Sequence, residues 1–179
     1  MGKVVYIIGM EIEAFKKELI PIKDKLFRLA KTMLQNREDA EDALQEIYMK
    51  LWKNNDIIED LKNPEAYAMK IMKNFCLDKL KYRKNKRMVE IKQPELGREN
   101  FTPFTMVSFD NLKDLMLKLF STLPEQQRMI IHMRDIEHYS YEEIEEVTGM
   151  NVNAIRVNLS RARKSVKGNY LKIRNYENR

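Results

Sequence analysis

The stretch Asp39-Ala40-Glu41-Asp42-Ala43-Leu44-Gln45-Glu46-Ile47-Tyr48-Met49-Lys50-Leu51-Trp52 decides the fold. Ala40, Ala43, Leu44, Ile47, Tyr48, Leu51 and Trp52 recur at steps of three and four, so on a helix they form one apolar stripe that has to be buried. The other face carries Glu38, Asp39, Glu41, Asp42, Gln45 and Glu46, a concentrated acidic surface at a helix start. Periodicity alone leaves two readings of that surface open. Carboxylates in a first turn suit the positive end of the helix dipole. On a chain whose formal net charge is +6, they also suit a docking surface.

On the N-terminal side, Leu19, Leu26, Phe27, Leu29, Ala30, Met33 and Leu34 keep helical spacing, broken only at Pro21, and the pattern ends near Gln35-Asn36. Two helices joined by so short a connection pack as an antiparallel hairpin. On the C-terminal side, residues 54–62 read as a polar loop with Ile57, Ile58 and Leu61 embedded in it. Asn63-Pro64-Glu65 then starts a helix, with a capping Asn, Pro in the first helical position and a carboxylate in the first turn. Tyr67, Ala68, Ile71, Met72, Phe75 and Leu80 form its expected buried side.

The rest of that helix is basic. Lys70, Lys73, Lys79, Lys81, Arg83, Lys84, Lys86 and Arg87 face the single acid Asp78, with Tyr67, Asn74 and Tyr82 interleaved. A basic helix is often only a solvated face, but this density beside aromatic rings favours nucleic acid. Exposed bases stack on rings while phosphates pair with cations, so the pattern suits a single strand.

From Arg83 to Asp110 the periodicity lapses, and a stretch of that length reads as a linker between two domains. Its Phe101, Phe104, Met106, Val107 and Phe109 are apolar for a tether. Leu112, Leu115, Met116, Leu119, Phe120 and Leu123 open a second helical domain, and Pro124 starts the helix bearing Met129, Ile130, Ile131 and Met133. Ser140-Tyr141-Glu142-Glu143 is a capping box, Gly149 ends its helix, and Asn151 caps a further helix with Ile155, Leu159, Ala162 and Val166 inward. Two helices joined by such a turn make a helix-turn-helix. The first carries Glu142, Glu143, Glu145 and Glu146, whereas the second exposes Arg156, Asn158, Ser160, Arg161, Arg163, Lys164 and Lys167 with no acid up to Gly168. The basic helix is the one suited to a major groove, its first residues at base edges and Arg163, Lys164 and Lys167 on phosphates. The competing reading is a purely structural three-helix domain.

Composition narrows the classes. With 34% charged residues, 44% hydrophobic residues, 5 Gly and 5 Pro, the chain reads as all-α: two small helical domains, an irregular linker and a C-terminal helix-turn-helix. A pI near 9.2 suits an acidic polymer as ligand. The lone Cys76 rules out an internal disulfide or cysteine-based metal cluster and fits a reducing, cytoplasmic setting. The apolar run Val4-Val5-Tyr6-Ile7-Ile8 is too short to span a bilayer; Met10 leaves the true start codon open. Two histidines, one cysteine and no phosphate-cradling Gly-rich loop leave little for catalysis, so neither enzyme activity nor a cofactor is expected.

Asp39-Ala40-Glu41-Asp42, Gln45-Glu46, Trp52, the helix with Asn74 and Asp78, Leu123-Pro124-Glu125-Gln126-Gln127-Arg128 and Ser160-Arg161-Ala162-Arg163 together resemble the small extracytoplasmic-function sigma factors of bacterial RNA polymerase. The similarity runs in order from about Leu19 to Lys172. It implies region two over residues 10–82, a linker over 83–110 and region four over 111–175. It implies that Asp39, Asp42, Gln45 and Glu46 dock on the beta-prime clamp helices of core polymerase, with the beta flap a second contact. Tyr67, Lys70, Lys73, Asn74, Lys81 and Arg83 would melt and read the minus-ten element, and residues 54–63 would capture a flipped base. Arg156, Val157, Asn158, Ser160, Arg161 and Lys164 would read the minus-thirty-five element. The linker would thread toward the active-site channel, and an anti-sigma protein is a further partner of such factors. This chain departs from the family pattern at Asn153-Ala154-Ile155, where many relatives have Gly-Thr-Val, and at Tyr67, where Trp is common. The rival reading is a freestanding helix-turn-helix regulator, which leaves the acidic face and the first basic helix without a joint purpose.

Overall fold

The computed structural model describes residues 13, 15–54, 58, 60–91 and 112–177, and among them every regular element is helical. Helix α1 spans Lys23–Leu34 and α2 spans Arg37–Lys53. Gln35 adopts a left-handed conformation with φ of 59° and its N–H closes α1 on the Lys31 carbonyl. Asn36 then caps α2 by accepting from the Asp39 N–H at 2.9 Å. A two-residue connection with a cap on each side forces the expected hairpin. Helix α3, Pro64–Ile91, lies across it, started by the Ala66 N–H donating to Asn63 Oδ1 at 3.0 Å. It runs nine residues beyond the boundary expected at 82, so the basic segment that carries no apolar stripe is still helical. The remainder of the expected linker, including Phe101, Phe104, Met106, Val107 and Phe109, lies outside the described residues, as do Val4 to Ile8 and Ile57.

In the second half, α4 spans Leu112–Ser121 and α5 spans Glu125–Ile131. Helix α5 runs on into a π-helical turn, His132–Ile136, closed by the Glu137 N–H on the His132 carbonyl at 3.1 Å. Helix α6, Tyr141–Thr148, has the full capping box: Ser140 Oγ accepts from the Glu143 N–H at 3.1 Å and Glu143 Oε2 from the Ser140 N–H at 2.6 Å. Gly149, with φ of 72°, ends α6 in the left-handed region where a side chain would be strained. Asn151 caps α7, Val152–Glu177, through the Ala154 N–H at 2.8 Å.

The two halves share one contiguous apolar core. Leu26, Leu29, Met33, Ile47, Leu51, Met69 and Met72 of the first half belong to the same buried cluster as Ile130, Met133, Ile144, Ile155 and Leu159 of the second. Helix α5 packs on α1, and α6 packs on α3. Polar groups cross the same boundary. Arg28 donates from Nε and Nη2 to the two oxygens of Glu137, 2.7 Å each, and the Glu137 side chain is only 3% exposed. His132, also buried, places Nδ1 3.0 Å from Thr32 Oγ1 and Nε2 3.3 Å from Glu137 Oε1. Arg128 reaches over to the Met33 carbonyl at 3.0 Å while its other terminal nitrogen binds the carbonyls of Leu123 and Ser121. Glu65 accepts from Lys25 at 2.6 Å and from the Tyr139 hydroxyl.

Burial raises the pKa of the Glu137 carboxyl, but Arg28 and His132 more than offset it, lowering it from an ordinary 4.5 to about 2. A carboxylate depressed in the folded state stabilises it above the unfolded value, and that contribution is lost as pH falls through the folded one. The stabilisation from Glu137 is therefore complete above about pH 4.5 and disappears toward pH 2. Glu137→Gln is expected to melt below wild type at neutral pH, with the deficit narrowing as pH is lowered through this window. Thermal melts across the pH series check it; a deficit that stays constant down to the lowest pH refutes the assignment.

Candidate nucleic-acid interface

Helical geometry sorts the charges of α3. At about 100° per residue, Tyr67, Lys70, Asn74 and Lys81 fall within roughly 60° of one another. They lie opposite the buried side, which is Ala66, Ala68, Met69, Met72 and Cys76. Lys70, Asn74 and Lys81 are exposed and Tyr67 is half-buried against the core, a basic track with one ring at its start. Asp78 is exposed within the same stripe and interrupts it. Tyr82, 70% exposed, flanks it.

Two residues expected on this track stand elsewhere. Lys73 sits at the edge of the buried side and is 9% exposed; burial and then Lys70 lower its pKa. Arg83 projects from the core side of α3, where Nη2 donates to Asp39 Oδ2, and Lys79 Nζ lies 2.8 Å from Asp39 Oδ1. Partial burial opposes ionisation of Asp39, but these two hydrogen bonds prevail and its pKa is lowered. Asp39, expected on a docking face, and Arg83, expected on a DNA face, thus bind one another and tie α2 to α3. The reason is angular: on α2, Asp39 borders the buried stripe of Ala40, Ala43, Leu44, Ile47 and Leu51 rather than opposing it.

Glu38, Glu41, Asp42, Gln45 and Glu46 remain on the exposed side of α2. Their only described partners are local, Arg37 with Glu41 at 2.8 Å and Lys50 with Glu46 at 3.3 Å. The acidic face continues into Met49, 60% exposed, and Trp52, 45% exposed. Trp52 was expected in the core; it lies on the flank of the stripe, beyond Tyr48, and packs edge-on against Phe15 at 5.1 Å between centroids. The surface is therefore acidic at one end and apolar at the other.

On α7 the buried side is Ile155, Leu159, Ala162 and Ile173. Arg156, Val157, Ser160, Arg161 and Lys164 are exposed on the opposite side, within about 140°. Asn158 is half-buried at the core edge, and its Nδ2 donates to the Ala154 carbonyl of its own helix at 2.9 Å. Arg163, expected on a phosphate, is bound at both ends by Asp135 at 3.0 and 2.6 Å. Arg156 lies against the Tyr141 ring, 5.0 Å from its centroid.

The polar groups between the halves, Arg28, Thr32, Arg128, His132 and Glu137, escape sequence reasoning. The one available signal is a lone polar residue inside an apolar run, Thr32 before Met33-Leu34 and His132 between Ile131 and Met133. Among the described residues, no group of histidine, cysteine and carboxylate side chains is placed to hold a metal ion, and no helix is long and apolar enough to cross a membrane.

Comparison with known proteins matches the family models "Sigma-70 region 2" over residues 22–87 and "Sigma-70, region 4" over residues 113–166. The chain is 31% identical to the RNA polymerase sigma factor SigV of Bacillus subtilis, over 79% of this chain and 82% of that protein. It is 25% identical to the ECF RNA polymerase sigma factor SigW of the same organism, over 87% and 88%. Among solved structures it is similar to the sigma factor RpoE of Bartonella quintana in complex with the anti-sigma factor NepR, with a TM-score of 0.68, 25% identity, and 86% and 94% of the two chains covered.

The Asp39 clamp is separable from its exposed neighbours. Asp39→Ala is expected to lower stability by about 1 kcal/mol, because it leaves Lys79 and Arg83 without their carboxylate. Asp42→Ala, on the solvated side, is expected to stay within about 0.5 kcal/mol of wild type. Urea unfolding of the two variants decides; equal midpoints would remove Asp39 from the structural role.

Proposed function

The chain belongs to the extracytoplasmic-function sigma factors of the sigma-70 family, and from that premise we propose how its surfaces divide the work of promoter-specific transcription initiation. It is an RNA polymerase sigma factor. Its partners are core polymerase and promoter DNA, and it works in the cytoplasm without a catalytic group of its own. An anti-sigma protein is a further partner consistent with the complex in which the RpoE neighbour was solved.

The first half acts as region two. Asp42, Gln45 and Glu46, continued by Met49 and Trp52, form the face that docks on the beta-prime clamp helices. Tyr67, Lys70, Asn74 and Lys81 hold the melted minus-ten strand. Extruding a base costs a few kcal/mol, and stacking on an aromatic ring returns about 1–3 kcal/mol per base, so one ring and a row of cations shift the duplex toward opening without chemistry. Lys73 and Arg83 support that face from its buried edge. The second half acts as region four: Arg156, Val157, Ser160 and Arg161 meet base edges of the minus-thirty-five element and Lys164 a phosphate, while Asn158 braces the helix. The beta flap is the expected seat of this half. The observation that carries the reading is that Asp42, Gln45 and Glu46 stand exposed on the same hairpin that supports the basic face of α3.

Core polymerase supplied with this protein and pooled genomic fragments is expected to start transcripts at sites sharing two upstream motifs at fixed spacing. A freestanding regulator would give none. Asp42→Arg with Glu46→Arg is expected to abolish core binding in a pull-down while the melting temperature stays near wild type. Unchanged core affinity would sink the role given to that face.

A further inference from the structure

Among the exposed arginines of α7, Arg156 is held in an unusual way. Its guanidinium carbon lies 5.0 Å from the centroid of the Tyr141 ring, and among the described residues it makes no hydrogen bond or ion pair. Tyr141 is itself fixed. It is the first residue of α6, directly after the Ser140 capping box, and its ring packs partly buried against the core. Arg134 lies 4.8 Å from the same centroid, and its Nη1 is committed to the Tyr139 carbonyl at 2.5 Å. Arg134 is therefore a structural member of the cluster and Arg156 the free one.

We propose that Tyr141, on the first helix of the helix-turn-helix, is a positioning residue that presents the Arg156 guanidinium to a base edge of the minus-thirty-five element. A guanidinium carries its five N–H donors in its plane. A carboxylate partner consumes those donors, as Asp135 does for Arg163 through two hydrogen bonds. An aromatic ring attracts the cation without taking an N–H. Arg156 is thus restrained in place while its donor edge stays available for the bidentate contact that reads guanine. The departure of Asn153-Ala154-Ile155 from the family pattern lies immediately before Arg156. The proposal rests on the reading of Arg156 as a base-contacting residue.

The test uses holoenzyme, made from the full chain and core polymerase, and a duplex library randomised across the upstream element, with sequencing of the bound fraction. A cation–π contact at an exposed site is worth about 0.5–1 kcal/mol, a factor of about two to five in binding. Arg156→Ala is expected to erase base preference at one or two positions. Tyr141→Leu should lower enrichment two- to fivefold at those same positions, Tyr141→Phe should retain it, and Tyr141→Leu in the Arg156→Ala background should cost nothing more. Where Tyr141→Leu lowers the melting temperature, Tyr141→Met repeats the test. Unchanged enrichment in Tyr141→Leu, or relaxation at positions other than those of Arg156→Ala, overturns the positioning role while leaving Arg156 as a reader. Intact preference in Arg156→Ala overturns both.

Discussion

A buried carboxylate fixes how the two halves of this protein meet. Glu137 is taken almost wholly out of water, and it stays ionised because Arg28 supplies two aligned donors and His132 a third neighbouring nitrogen. An apolar interface tolerates sliding, since burial is roughly proportional to area and indifferent to register. A buried charge does not: a shift of one helical residue would leave it unpaired, at a cost of several kcal/mol. The same holds for Arg128, whose terminal nitrogens bind the Met33, Leu123 and Ser121 carbonyls. The apolar cluster supplies the attraction between the halves, and these few polar groups select one arrangement from the many that would bury similar area.

Once the core is set, it decides which charges are available for partners. Asp42, Lys70 and Arg161 stand exposed opposite the buried side and, among the described residues, pair with no adjacent element, while several charges at its border are drawn into ion pairs across to one. Asp39 with Lys79 and Arg83, and Asp135 with Arg163, are border charges of this kind. Charge density along a helix therefore overstates its binding face. The angle from the buried side is the better guide, and it separates residues one or two positions apart in the same motif.

Angle also explains what could be read without the structure. The hairpin, the Asn63-Pro64 start, the Ser140 capping box and the Gly149 turn are local: each is decided within about four residues, where sequence and geometry are directly coupled. The exposure of Trp52 was recoverable from the same arithmetic, since it falls beyond Tyr48 at the edge of the stripe. The polar links between halves were not. Arg28 and Glu137 are 109 residues apart and Thr32 and His132 are 100 apart, and no periodicity ties such pairs together. The continuation of α3 to Ile91 escaped for a different reason, because past Leu80, which packs against the core, its sequence carries no apolar stripe to detect.

Arginine shows how these constraints reach function. Arg128 gives its donors to backbone carbonyls inside the fold, and burial lowers its pKa. Arg28 and Arg163 give theirs to carboxylates, and to serve a phosphate either would have to break two hydrogen bonds. Arg161 is exposed and, among the described residues, has no partner to restrain it, so ordering it on a ligand costs side-chain entropy of the order of 1 kcal/mol. Only a partner that restrains the cation without taking its donors avoids both penalties, and an aromatic face is the one side-chain surface with that property. Tyr141 places such a face beside the first turn of the basic helix, where the groove is read.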